Sequence, residues 1–151
     1  MALERSVSAI YCDDVRQEAG NKVSYMGTYT GMMFVPSFPA VIPKLVVVIH
    51  VLTPIDNPFK RLTIKLMKND ESLGETEIPG EALETLRTQS AVQMGDLGED
   101  VSIGLSMIFT MLSLSVAEAS KIRIRVQTES EELKGPALVI RDIPTQAQGP
   151  I

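Results

Sequence analysis

"KLVVVIHVL", residues 44–52, is apolar at positions that would face both sides of a strand, is rich in β-branched residues, and is bracketed by Pro43 and Pro54. Val and Ile fit the pleated backbone, and proline stands at strand ends because it cannot donate to a ladder. The run therefore predicts a central strand covered on both faces.

The flanking sequence supplies partners for it. In "RLTIKLMK" (61–68), Leu62, Ile64 and Leu66 fall on one face and Thr63, Lys65 and Met67 on the other. In "SKIRIRVQT" (120–128), Ile122, Ile124 and Val126 point inward, while Lys121, Arg123, Arg125 and Gln127 point outward. Alternation of period two is the mark of a strand with one wet face. "VSIGLSMIFTMLSLSV" (101–116) is apolar at odd positions through Met111, and then at the even positions Leu114 and Val116. Such a change of parity predicts a β-bulge or a change of sheet within one strand.

Further strands are expected at 7–12, 22–28, 31–35, 73–78 and 137–143, joined by the turn-forming stretches "PIDNP", "KNDESLG" and "TESEELKGP". "PGEALETLRTQ" predicts one short helix near 80–88, with acids in its first turn where the helix dipole favours them. The long helices that parallel strands need between them are missing. The expected fold is all-β: an antiparallel two-sheet β-sandwich, immunoglobulin-like or C2-like Greek key, with eight or nine strands. One domain is expected over 1–143, with a disordered tail at 144–151.

Composition narrows the function classes. The chain has 151 residues, a net charge of −5 and a single cysteine, which excludes an internal disulfide. No secretory pattern opens it and no apolar run reaches the ~20 residues of a membrane span, so a cytoplasmic protein with no membrane partner is expected. No Lys/Arg cluster with interleaved aromatics is present in the sequence, so nucleic acid is not an expected partner. The stretch 69–100 holds nine acids against the lone Arg87, and reads as a solvated face. Gly-rich phosphate loops are absent, and one Cys with one His cannot complete a zinc site, so no cofactor and no metal are expected. His50 reads as a buried neutral imidazole bonded to backbone, and Cys12 as a small buried apolar residue.

The remaining chemistry lies in "YCDDVRQEAGNKVSYMGTY" (11–29). Paired acids can bind a cation, act in hydrolysis or fix a turn. Asp13 and Asp14 are read chiefly as the pins of a strand corner, with Arg16 pairing to Asp13, Asp14 or Glu18 and Gly20-Asn21 completing the reversal. Tyr25 and Tyr29 stand close by, among soft methionines suited to an adaptable surface. Asp13, Asp14, Arg16, Glu18, Tyr25 and Tyr29 are therefore the candidate binding residues, and none is assigned a catalytic role.

The segment from Cys12 to Tyr29, with "PSFPAVIPKL" (36–45), resembles a family of small uncharacterised bacterial and phage proteins. Its members carry a CDD-x-R-x-E-x-G-x-K-x-S-x-x-G-x-Y signature. The matching residues here are Cys12, Asp13, Asp14, Arg16, Glu18, Gly20, Lys22, Ser24, Gly27 and Tyr29, followed by Phe38, Pro39, Pro43, Lys44 and Leu45. The resemblance implies a β-rich protein in a bacterial or phage setting and no established activity. With no nucleophile-base pair, metal set or phosphate loop, the expected function is a non-enzymatic protein-binding or assembly module, with a protein partner or self-association. The alternatives are a metal-dependent hydrolase built on Asp13 and Asp14, or a small phage effector that inhibits a host protein.

Overall fold

The computed structural model describes residues 3–144, so nearly all of the expected tail lies outside the described residues. Ten strands and one helix follow in order: β1 (Ser6–Glu18), β2 (Lys22–Tyr29), β3 (Met32–Val35), β4 (Ala40–Pro54), β5 (Leu62–Lys68), β6 (Glu71–Ile78), α1 (Gly80–Met94), β7 (Ser102–Val116), β8 (Ser120–Thr128), β9 (Glu132–Lys134) and β10 (Leu138–Asp142). They form two sheets, β2-β1-β4-β7 and β3-β10-β8-β5-β6, with β9 added beside β8. The all-β sandwich expected from the alternation is therefore the observed fold.

From β4 onward the strand order is that of an immunoglobulin-type sandwich. β4 and β7 pair as strands B and E do, and β6-β5-β8-β10 follow C′-C-F-G. Every pairing is antiparallel except β3 with β10, which is parallel. The strand beyond the expected nine is β9, only three residues long and too short to display a period within "TESEELKGP".

Between the sheets, Leu45, Val47, Ile49 and Val51 of β4 meet Leu62, Ile64 and Leu66 of β5, Ile122, Ile124 and Val126 of β8, and Leu138 and Ile140 of β10. Burial of each such side chain contributes about 1.5–3 kcal/mol. α1 runs past residue 88 to Met94, carried by good helix formers, and stops where Gly95 takes φ 51°. It crosses from β6 at the edge of one sheet to β7 at the edge of the other, and among its residues only Leu83 is fully buried.

At the lower end of the sandwich the polar interior is organised by Arg5, a residue the sequence reading passed over. Its side chain is 6% exposed and pairs with Glu129. It also donates to Thr53 Oγ1 at 3.1 Å and the Pro58 carbonyl at 2.9 Å, and its guanidinium lies 4.8 Å from the centre of the Phe59 ring. The start of β1, the β4–β5 loop and the β8–β9 turn are thereby tied together. Burial alone would raise the Glu129 carboxyl, but the Arg5 guanidinium and the Lys60 amide outweigh it and hold it down at about 2.

A carboxyl depressed in the folded state adds stability above its unfolded pKa, and that stability is lost as pH falls toward the folded one. Thermal melts of the wild type are thus expected to fall between about pH 4.5 and 2, with a shallower fall in Glu129→Gln. Arg5→Ala leaves the carboxylate unpaired and is expected to cost about 3 kcal/mol in urea unfolding at pH 7. A pH profile identical in wild type and Glu129→Gln would exclude the linkage.

Candidate functional site: the creased face of the four-stranded sheet

β1 does not turn at Asp13 and Asp14, as the sequence reading expects; it continues through them to Glu18 and reverses at Gly20-Asn21. What happens at the two acids is a change of face. Val7, Ala9 and Tyr11 point into the core, whereas Val15, also odd-numbered, packs with Cys12 and Ile10 on the outside. In β2, Tyr29 faces the core and Tyr25 the outside. In β4 the inner set passes from Ile42 to Leu45, and in β7 from Met111 to Leu114.

All four strands therefore exchange their faces along one transverse line, a crease. It runs through Gly27 (φ 65°), Asp13, Pro43–Lys44 and Ser113 (φ 54°). Asp13 and Gly27 lie between the Cys12–Thr28 and Asp14–Met26 pairs. Pro43 and Ser113 lie between Ile42–Leu114 and Lys44–Leu112. Left-handed backbone at Gly27 and Ser113 and a proline without an N–H interrupt the ladders at the same level. The parity change expected in β7 is one quarter of this feature, and Leu112 itself remains on the outer face, 70% exposed.

The crease carries the end of the β1–β2 hairpin over the outside of β4. Val46 and Val48, on the face away from the second sheet, are buried with Cys12 beneath Ile10, Val15 and Tyr25. This explains how "KLVVVIHVL" is covered on both sides: by a sheet on one, and by the folded hairpin on the other.

Polar groups fasten the crease. Tyr29 donates its hydroxyl to Asp13 Oδ1 at 2.6 Å, and the Asp13 side chain lies where a Cβ on Gly27 would stand. Burial and the Asp13 carboxylate push the Tyr29 hydroxyl up to about 12. Lys44 Nζ donates to Asp14 Oδ1 at 2.7 Å, and the Val15 amide donates to the same oxygen at 2.9 Å. The Lys44 contact holds the Asp14 carboxyl below its ordinary range. Lys44 thus takes the place expected of Arg16. Among the described residues, neither Arg16 nor Glu18 has a side-chain hydrogen bond or ion pair.

His50 also departs from expectation. It lies on the outer face, half-buried, with Nδ1 2.7 Å from Ser106 Oγ and Nε2 3.5 Å from the Tyr25 hydroxyl. Its partners are side chains, because even positions of β4 face outward. Ser106 is the register partner of His50 across β4 and β7. Burial pushes the Cys12 thiol up, which suppresses the thiolate. Asp13 and Asp14 are drawn to different partners, and among the described residues no cluster of three metal-ligating side chains forms.

The family of unknown function DUF6941 matches residues 7–141. The chain belongs to this family. No curated protein matches the chain in sequence. Within the matched span, eight of the residues carrying the resemblance stand at the crease or beside it: Cys12, Asp13, Asp14, Gly27, Tyr29, Pro43, Lys44 and Leu45.

A second feature escaped the sequence reading. Lys134 and Arg141 join Lys121, Arg123 and Arg125 on the outer face of the other sheet, because β9 and β10 both pair with β8. The alternation in β8 announced three of these cations, but only strand pairing brings the other two. Arg123 and Arg125 are partly balanced by Asp70 at 3.4 Å and Glu132 at 3.9 Å.

If the crease rests on the Asp13–Gly27 approach, Gly27→Ala should cost about 1–3 kcal/mol through forced left-handed backbone and overlap with the carboxylate. In an Asp13→Ala background the same substitution should cost less, since the overlap is gone. Equal losses in a double-mutant urea series would assign the whole cost to the backbone.

Proposed function

We propose that this chain is a non-enzymatic protein-binding module that docks a partner through the creased outer face of β2-β1-β4-β7. The observation that carries this reading is the composition of that face. A sheet face open to water is ordinarily polar, yet here, beside the Val46 and Val48 that the hairpin buries, Ile108, Leu112 and Val41 lie in the open. Ile108 is 44% exposed, and Leu112 beyond it is more exposed still. Around the apolar centre stand Tyr25, His50, Ser106 and the Asp14–Lys44 pair. An apolar centre with a polar rim is the anatomy of a protein interface. The resemblance to bacterial and phage proteins supports an origin of that kind.

The test maps capture to a face. Leu112→Asp and Val41→Asp replace exposed side chains and should leave the melting temperature within about 2 °C of wild type. Cross-linking in a host lysate, read by mass spectrometry, should then recover the same partner with wild type and with Arg123→Glu, and lose it with the face variants. Equal recovery by all of them would refute the docking face. Calorimetric titration with calcium, magnesium and manganese should give no heat. A binding isotherm accompanied by a raised melting temperature would instead favour the metal-dependent hydrolase built on Asp13 and Asp14.

A further inference from the structure

β7 ends the four-stranded sheet, and among the described residues no strand lies beside its free side. An open edge is a row of unpaired amides and carbonyls, which proteins ordinarily blunt with charge, proline, bulges or brevity. The other sheet edges among the described residues are blunted, β9 by its three-residue length. β2 carries Lys22 and is broken at Gly27; β3 is four residues long; β6 carries Glu71, Glu75 and Glu77 and meets β5 through a bulge. β7 is different. Over its 15 residues it has no charged side chain and no proline. Its upper end is closed by the left-handed Ser113 and by Lys68 Nζ, which donates to the Ser115 carbonyl at 2.9 Å, and α1 touches β7 where the helix crosses over from β6. Residues 102–112, about 36 Å of regular strand, have no strand paired to that side among the described residues.

We propose that residues 102–112 pair antiparallel with the same segment of a second copy, joining two four-stranded sheets into one continuous eight-stranded sheet. An uncharged strand offers a foreign chain no electrostatic register, whereas an antiparallel strand is always its own complement about a two-fold axis. The electrostatics favour the same site. Two copies of a chain with net charge −5 repel each other, and β7 is an edge that brings no charge to the contact. Pairing 102–112 with itself sets Ile108 beside the partner's Ser106 and Leu112 beside the partner's Ser102, so the added strand shields one flank of each exposed side chain. This deepens the binding reading above and rests on it, since it extends the same outer face across two molecules.

Sedimentation equilibrium of the full chain over a wide concentration range tests the pairing. Wild type should be a dimer, and hydrogen exchange should slow at alternate amides of 102–112 as concentration rises. Ile108→Lys with Thr110→Lys should yield a monomer with unchanged circular dichroism and melting temperature. A wild type that stays monomeric into the millimolar range overturns the pairing, as does a lysine variant that remains dimeric. The two readings separate cleanly. A monomer that loses its partner with Leu112→Asp sinks only the pairing, while a dimer whose partner capture ignores the face variants upholds the pairing and sinks the docking face.

Discussion

The structure depends on one constraint: β4 is apolar on both faces, and a two-sheet sandwich covers only one of them. Leu45, Val47, Ile49 and Val51 meet the second sheet. Val46 and Val48 would be left in water, at a cost of about 1.5–3 kcal/mol each relative to burial. The crease resolves this by folding the β1–β2 hairpin back so that Val15 and Tyr25 lie over them. A bend in one strand could not do so, because register with its neighbours would be lost. The four strands change parity together, and the pairing sums on either side of the crease remain the same.

This view unifies the polar residues at the crease. Asp13 and Asp14 sit where the ladder is interrupted and side chains must hold what backbone bonds do not. Tyr29 anchors one carboxylate and Lys44 the other, one toward β2 and one toward β4. The left-handed conformation of Ser113, uncommon for a residue with a Cβ, is the corresponding concession in β7. The face that results is neither a cleft nor a standard wet sheet surface, and its open rim at β7 follows from the same architecture.

Much of the fold was legible because period two survives in β5 and β8, and because the doubled apolar pattern of residues 44–52 identifies a central strand. The jump of parity in β7 was also legible, but its meaning was not. A single sequence displays the shift in one strand at a time, and the matching shifts in β1 and β2 are masked by residues that read equally well as a turn. Gly27 looks ordinary until the Asp13 side chain is found against it. The corner assigned to Asp13 and Asp14 was misplaced because acids near a Gly-Asn pair mimic turn chemistry; the reversal belongs to Gly20-Asn21 alone. Arg5 was invisible for a different reason: its partner Glu129 is 124 positions away.

Cys12 reports on the central claim directly. It is the only cysteine, it lies under the folded hairpin, and it is 0% exposed although its side chain points away from the second sheet. The measurement is the rate at which an aromatic disulfide reagent modifies it in the native protein, in wild type and in Tyr25→Ala. The account predicts a wild-type rate orders of magnitude below that of the urea-unfolded chain, and a marked acceleration in Tyr25→Ala at unchanged secondary structure. A native wild-type thiol that reacts as fast as the unfolded one would mean that the hairpin does not cover β4, and the crease would lose its reason.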